Sequence, residues 1–401
     1  TIDVEGASEE QKISLYSNLY RMYAYPTNYS ENLGTSAAPR MAYASPYHTK
    51  DGKPVLTDGQ MYTTNGFWDT YRTAWAAYAL LTPKRDEQLL DGILQHYRDA
   101  GWVGRWLNPG AVNCMTGTSS DVIFADAQIK GIPLDLKSAY ESAVKNASMY
   151  ATGTFGRKDT NLSCYHGFTP DAISWTMENA VGDYGVAQLA KAVGEMDQYH
   201  YYLNRAKNYA NVFHPDFRFF VGKKADGSYV ADESNFTPIE WNFGYVETNG
   251  WGTAFSVTHD AQGMANLYGG KDALAKKLDE LFLQTNQYTA SWFQHEMAEA
   301  REVRMGQYQH NNQPAHHILY VYNYAGQPYK TQAKVREVLN RLYIGSSFGQ
   351  GYLGDDDNGE QSAWYVLSAL GLYPMNMGSG EYAITSPLFD KATLHLPTGD
   401  L

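Results

Sequence analysis

Residues Gly354 to Trp364 read Gly-Asp-Asp-Asp-Asn-Gly-Glu-Gln-Ser-Ala-Trp, three consecutive carboxylates in a turn that runs into an apolar helical stretch. Adjacent like charges repel, and each raises the pKa of the others unless a cation, a polarised water or a ring of donors compensates. Asp355, Asp356 and Asp357 therefore create the environment that a catalytic base or a metal site requires. The same residues could instead form a solvated acidic turn, because Asp and Asn favour the first turn of a helix through side-chain capping and the helix dipole. An Asp-x-Asp pair also suits a divalent cation such as Ca²⁺, which accepts carboxylate, carbonyl and amide oxygens together with water. EF-hand spacing is missing, since the position that should carry the bidentate glutamate is Val366.

Five other polar, aromatic segments punctuate the chain, at 58–72, 101–121, 155–169, 241–251 and 306–317. They supply the carboxylates Asp69 and Glu247, the amides Asn311, Asn312 and Gln313, and the histidines His310, His316 and His317. They also carry the faces of Trp68 and Trp251, and Arg105 between Trp102 and Trp106. A glycoside hydrolase needs a general acid, a general base and groups that hold the sugar ring distorted, and all the residue types are here. Asp69, Trp68, Arg105, Trp251, His310, Asn311 and Gln313 are thus candidate substrate-binding residues. The competing reading keeps Arg105 and the tryptophans as structural residues and makes His316-His317 a helix start with a satisfied histidine. No Gly-x-Gly-x-x-Gly follows a strand, and the P-loop, the Gly-x-Ser-x-Gly elbow and His-Glu-x-x-His are absent. Nucleotide-binding and zinc-protease chemistries fall away.

Helices must hold these loops. Apolar residues recur at helical spacing from Ser8 to Tyr23, Asp86 to Asp99, Val122 to Ile129, Leu136 to Tyr150, Glu178 to Val193 and Met196 to Phe213. The pattern resumes over Thr253–Tyr268, Lys271–Thr285, Pro314–Tyr324, Thr331–Leu342 and Glu360–Leu372, and a further helix starts near Phe67. A polar loop follows the first helix, a hairpin excursion is expected around Ala225-Asp226-Gly227, and strand patterning is otherwise sparse, with short β segments in loops and at the C-terminal end, Glu381–Leu396. The count is about twelve helices, alternating between an apolar, Ala-rich character and an amphipathic one. Such alternation predicts an all-α domain over 1–401, an (α/α)6 barrel built as a toroid of helix hairpins, with the six loops converging at one mouth. A solenoid of helical pairs is the other option, without a fixed sequence period to favour it.

A net charge of −12 and no stripe of Lys and Arg argue against a nucleic-acid partner. No apolar run approaches the length of a membrane span, so no membrane partner is expected. Aromatic residues reach 14%, with 33 Tyr, and many lie in loops beside Gly, Asn and Asp, where a sugar could stack. A Tyr-rich core would account for the same composition. Cys114 and Cys164 are the only cysteines, too few for a disulfide scaffold or a Cys-based zinc site.

The segments GFWDTYRTAW, GRWLNPG with NCMTGTSSDVIFADAQIKGI, ENAVGDYGVAQLAKAVG, QPAHHILYVYNYAGQPYKTQAKVRE and GDDDNGEQSAWYVLSALGLYPMNMGSGEYAITSPLFDKA resemble the catalytic domain of glycoside hydrolase family 92. The resemblance covers nearly the whole chain. It implies a calcium-dependent, inverting exo-α-mannosidase acting on mannose-containing glycans, secreted, cell-surface or periplasmic and bacterial in source. It also implies an N-terminal β-sandwich domain, absent from this stretch, that completes the active site. Within the resemblance, Asp355 and Asp357 match the carboxylates that activate water, Glu247 the glutamate that protonates the leaving oxygen, and Asp69 a mannose-binding aspartate. Inversion calls for acid and base roughly 6.5–9.5 Å apart with a water between them. Ca²⁺ would contact two mannose hydroxyls, and its candidate ligands here are Asn312, Gln313 and Asp355.

Two departures from the family pattern matter. Glu247-Thr248-Asn249-Gly250-Trp251-Gly252 stands where the family usually has Glu-Gly-Asn-Ala-Trp-Gln, and Gln313 stands where it usually has Glu. An amide cannot protonate a leaving group. A phosphodiester oxygen needs no such proton, and some family members remove mannose linked through phosphate to another mannose, so a mannosyl phosphate is the alternative substrate. A mannose-binding barrel without catalysis is the second alternative.

Overall fold

The computed structural model describes residues 2–401 apart from 152, 242, 243, 293, 346 and 348, so part of the loop at 241–251 lies outside the described residues. The chain is mainly helical with short strands. The first helix, Glu9–Met22, begins with a capping box. Ser8 Oγ accepts from Gln11 N–H at 3.2 Å and Gln11 Oε1 accepts from Ser8 N–H at 2.8 Å, satisfying two donors that a helix start otherwise leaves free.

Four helices are buried along nearly their whole length: Ala74–Leu81, Ser120–Ile129, Ile173–Val193 and Glu360–Ala369. They pack side by side, the first against the second and the fourth, and the second against the third. Small residues permit the close approach. A Cβ on Gly185 would meet Val122 Cα at 2.6 Å. Amphipathic helices cover them with one apolar face each: Glu9–Met22 lies on Glu360–Ala369, Pro83–Ala100 on Ala74–Leu81, Leu136–Ser148 and Met196–Arg205 on Ile173–Val193. This two-layer arrangement is what the alternating character of the sequence predicts.

Several boundaries differ, each for a local reason. The expected helix Thr253–Tyr268 is two pieces, Gly250–Thr253 and Ala261–Leu267, because Asp260 caps the second by accepting from Gly263 N–H at 2.8 Å. The expected helix Pro314–Tyr324 is a series of short turns, Gln313–Ala315, Ile318–Tyr320 and Val321–Tyr324. Helices Thr160–His166 and His295–Val303 form where no apolar period announces them. The polar loop after the first helix contains a hairpin, Met41–Lys50 paired with Lys53–Asp58. Its turn places Asp51 and Gly52 at φ of 51° and 75°, the left-handed pair that a two-residue hairpin demands. Pro46 and a register break between Ala44 and Thr49 hide that strand from alternation.

Around Ala225-Asp226-Gly227 the excursion is a tight turn closed by a bridge between Lys223 and Tyr229. At the C-terminal end Lys391–Leu396 pairs with Ile2–Glu5, which ties the two ends of the described chain together. Many tyrosines are core: Tyr43, Tyr62, Tyr78, Tyr202, Tyr308, Tyr320, Tyr322 and Tyr365 are all buried. A tyrosine-rich core thus accounts for part of the aromatic composition.

Candidate active site

The acidic turn is shaped by backbone conformation. Gly354, Asp357, Asn358 and Gly359 all have left-handed φ, between 42° and 89°. At Gly354 the requirement is steric as well, because a Cβ would lie 2.0 Å from the Asn311 carbonyl oxygen. The turn is thus pressed against the segment that carries the amides. Asp356 closes the start of helix Glu360–Ala369, where its Oδ1 accepts from Ser362 N–H at 3.2 Å and from the Ser362 hydroxyl at 2.5 Å. Asp355 and Asp357 are left for other work.

Side-chain bonds bring the separate loops to this turn. Asn358 Oδ1 accepts from Gly66 N–H at 2.7 Å, docking it beside the short helix Phe67–Thr70 that carries Trp68 and Asp69. Gln313 Nε2 donates to Asp357 Oδ2. Asn312 Nδ2 donates to Glu247 Oε2 at 2.8 Å, and Glu247 itself sits at a left-handed φ of 52°. Neighbouring amides thus hold Asp357 on one side and Glu247 on the other. Asp355 meets His295 Nε2 at 3.3 Å.

The electrostatics follow from crowding in a half-dry place. Burial, then the charges of Asp355 and Glu247, push Asp357 up to about 7 against the pull of the Gln313 donor. Burial, with Glu296 and Asp355 nearby, raises Glu247, while the Asn312 donor lowers it. Asp69 is only 1% exposed and is raised well above the usual carboxylate range, by burial first and then by Asp357, Glu247 and Glu360. Burial and like charges of this kind favour the protonated carboxyl over the charged one. Pairs of carboxyls with raised values in one cleft are the equipment of general acid–base catalysis.

Beside Glu247 opens a cavity of about 400 Å³ lined also by Met115, Tyr245, Trp292, Gln294, His295 and Glu296. Trp292 is 64% exposed and offers a ring face at its edge. Sequence reading missed Trp292, His295 and Glu296, because the segment before helix His295–Val303 carries no motif; a Trp beside a Gln-His-Glu run was the available signal. Beneath the turn, Glu360 is fully buried and receives His316 Nδ1 at 2.9 Å and the Thr73 hydroxyl at 3.2 Å. His316 and its neighbour His317, whose Nε2 lies 2.9 Å from the Phe255 carbonyl, are buried framework.

Not every sequence candidate faces the cleft. Trp251 is buried in the hydrophobic core, edge-on to Phe219 and 4.4 Å from the Lys277 ammonium. His310 is fully buried, with Nδ1 at 2.8 Å from the Tyr308 hydroxyl and Nε2 at 3.0 Å from that of Tyr343. Tertiary packing turns both inward, which loop position alone could not reveal. Trp68 is buried under the Arg72 guanidinium, itself paired with Glu178 at 2.8 Å. Arg105 lines a second cavity, which shares Met115 with the first. Cys114, which is free, lies within electrostatic reach of Asp69, Glu247 and Arg105 and so connects the two regions.

The donors at the cleft fit a hard cation in kind. Asp69 Oδ2, Asn311 Oδ1 and Gln313 Oε1 are among the buried oxygens of the described residues that have no hydrogen-bond partner. All-oxygen donor sets of carboxylates and amides select Ca²⁺ over softer ions. Among the described residues, no three His, Cys, Asp or Glu side chains alone make a metal site, so amide oxygens would have to contribute. Asn312 is already committed, its Oδ1 accepting from Gln313 N–H at 3.1 Å.

The model of the glycosyl hydrolase family 92 catalytic domain matches residues 1–401. The chain belongs to this family. Among solved structures, an inverting mannosidase of family 92 from Bacteroides thetaiotaomicron is 36% identical, with a TM-score of 0.86 over 99% of this chain and 54% of that one. A family 92 alpha-mannosidase from the same organism is 26% identical, with a TM-score of 0.82 over all of this chain and 50% of that one. The latter has also been solved in complex with mannoimidazole. A protein of Arthroderma benhamiae named as an uncharacterised secreted glycosidase is 26% identical over 353 residues, 76% of this chain and 41% of that protein. The family 92 chain thus spans about half the length of the relatives it matches. Among the described residues no helix is long and apolar enough to cross a membrane.

Proposed function

We propose that the chain forms the (α/α)6 part of a secreted, inverting, calcium-dependent exo-α-mannosidase. The observation that carries this reading is the meeting of Asp357 and Glu247, each held by one of two adjacent amides and each with a raised pKa, in a family whose solved relatives include an inverting mannosidase. Asp357 takes a proton from the water that attacks the anomeric carbon. As the glycosidic bond breaks, its electron pair stays on the leaving oxygen, which receives the Glu247 proton. Asp69 hydrogen-bonds a sugar hydroxyl, and Trp292 offers an apolar face beyond the cleft. Gln313, Asn311 and Asp355 would hold Ca²⁺, while Asn312 positions Glu247. The bound ion would supply Lewis-acid and template chemistry at the mannose hydroxyls. Because the chain spans about half of its relatives, a β-sandwich domain would complete the pocket.

A second reading, a mannosyl phosphodiesterase, is favoured by Gln313, which places a neutral amide against Asp357 where a carboxyl would repel an anionic leaving group. Purified full-length enzyme incubated with α-mannobiose and with a mannose-phospho-mannose diester, with and without chelator, tests both. Release of mannose with inverted anomeric configuration is expected, lost on chelation, and reduced about 10²–10⁴-fold in Asp357→Asn. Absence of release from either substrate would leave only a sugar-binding barrel.

A further inference from the structure

Among the described residues three arginines are buried, and two of them are neutralised. Arg72 pairs with Glu178 at 2.8 Å, and Arg157 with Asp183 at 2.6 Å and Asp121 at 3.2 Å. Arg105 is the exception. It is 6% exposed, yet among the described residues its guanidinium meets only neutral acceptors: the Gly156 carbonyl at 3.3 Å, the Gly153 carbonyl at 2.6 Å and Asn113 Oδ1. Its Nε has no acceptor, and the ring of Trp175 lies 5.0 Å from the guanidinium centre. Carbonyl oxygens satisfy hydrogen bonds without cancelling charge, so a buried cation of this kind is costly unless an anion joins it.

Such an anion has room. Arg105 and Trp175 line a cavity of about 430 Å³, together with Tyr150, Phe155, Lys158 and Asp159. Lys158 is exposed, and no carboxylate pairs with it among the described residues. Asp159 is the one acidic side chain in the lining, and Arg157 is already spent on its two aspartates. Two unpaired cations therefore face one carboxylate, among aromatic rings. Met115 lines both this cavity and the one beside Glu247, so the two adjoin.

We infer that the Arg105 cavity is a leaving-group subsite for an oxyanion carried by the substrate, with Arg105 and Lys158 taking the charge and Trp175 the attached ring. The inference rests on the hydrolase reading for its place in the reaction, and not for the binding itself. A guanidinium and an ammonium accept phosphate and carboxylate alike.

Inorganic phosphate, titrated calorimetrically into the full-length enzyme, is the direct probe. Binding should weaken about ten- to hundredfold in Arg105→Gln and in Lys158→Glu, the range for a charge-assisted hydrogen bond, and tighten in Asp159→Asn. Lys158 is exposed, so its variant decides the matter if Arg105→Gln does not fold. Phosphate that fails to bind, or binds these variants as it binds the parent, overturns the inference whether or not the enzyme is active. Mannose release then separates the sources of the charge. The ratio of kcat/KM for a mannose-phospho-mannose diester, or for a carboxyphenyl α-mannoside, to that for neutral α-mannobiose should fall in Lys158→Glu. A fall with the diester alone assigns phosphate, and a fall with both assigns oxyanions in general. Hydrolysis of the neutral sugar with both ratios unmoved overturns the subsite, whereas hydrolysis of none of the three refutes the hydrolase reading instead.

Discussion

Replacing Gln313 by glutamate sets a second carboxyl against Asp357. The amide is fully buried and now donates to Asp357 Oδ2, favouring the ionised form that a base needs. In Gln313→Glu that donor becomes an acceptor, and two unit charges about 4 Å apart at an effective dielectric of about 20 repel by about 4 kcal/mol. At about 1.4 kcal/mol per pK unit, that is about three units. The pair would therefore share one proton over the range in which Asp357 alone gives it up, near 7. Since a base acts only when deprotonated, activity falls as pH drops through that value, and the substitution must move the acid limb upward. The assay is kcat/KM against pH for a chromogenic α-mannoside, parent and variant, at a fixed saturating Ca²⁺ concentration. A limb displaced upward by one to three units is expected. A limb that moves by less than about half a unit would refute the coupling of Gln313 to the base.

Gly354→Ala should cost both stability and activity, because the new Cβ would meet the Asn311 carbonyl at 2.0 Å at a φ of 89°; a loss of about 1–3 kcal/mol by denaturant unfolding is expected, with kcat/KM falling alongside. His96 supplies a pH dependence of stability remote from the cleft. Its Nε2 bonds the Tyr62 carbonyl at 2.8 Å and its Nδ1 the Tyr47 hydroxyl at 2.6 Å, and burial lowers it to about 4. The unfolded chain takes up this proton near 6.5 and the folded one only near 4, so stability is full above 6.5 and is lost as pH falls towards 4. The loss from this residue should approach about 3 kcal/mol, and His96→Gln should flatten that part of the curve.

Much of the site was legible because its chemistry is local. Asp355, Asp356 and Asp357 stand in one turn, Asn312 and Gln313 are neighbours, and the flanking glycines and aspartates mark places where the backbone must turn left-handed. The helices were legible from apolar periodicity, and their alternating character pointed to two layers. What pattern could not convey was direction. His310 and Trp251 belong to segments as polar and aromatic as the rest, but burial against Tyr308, Tyr343, Phe219 and Lys277 turns them into the core. Helix His295–Val303, which brings His295 to Asp355, has too weak a period to be seen.

The sequence by itself determined the residue types, the turn that presents three carboxylates and the membership of family 92. Those depend on interactions within a few residues, or on long motifs preserved as written. Only the tertiary structure showed what holds each carboxylate. Asp356 is consumed by Ser362, Gln313 holds Asp357 and Asn312 holds Glu247, and the raised pKa of Asp357 and of Glu247 comes first from burial and then from the carboxylates gathered around each. The unpaired charge of Arg105 belongs to the same class of fact, since a missing partner can be recognised only after every neighbour is in place.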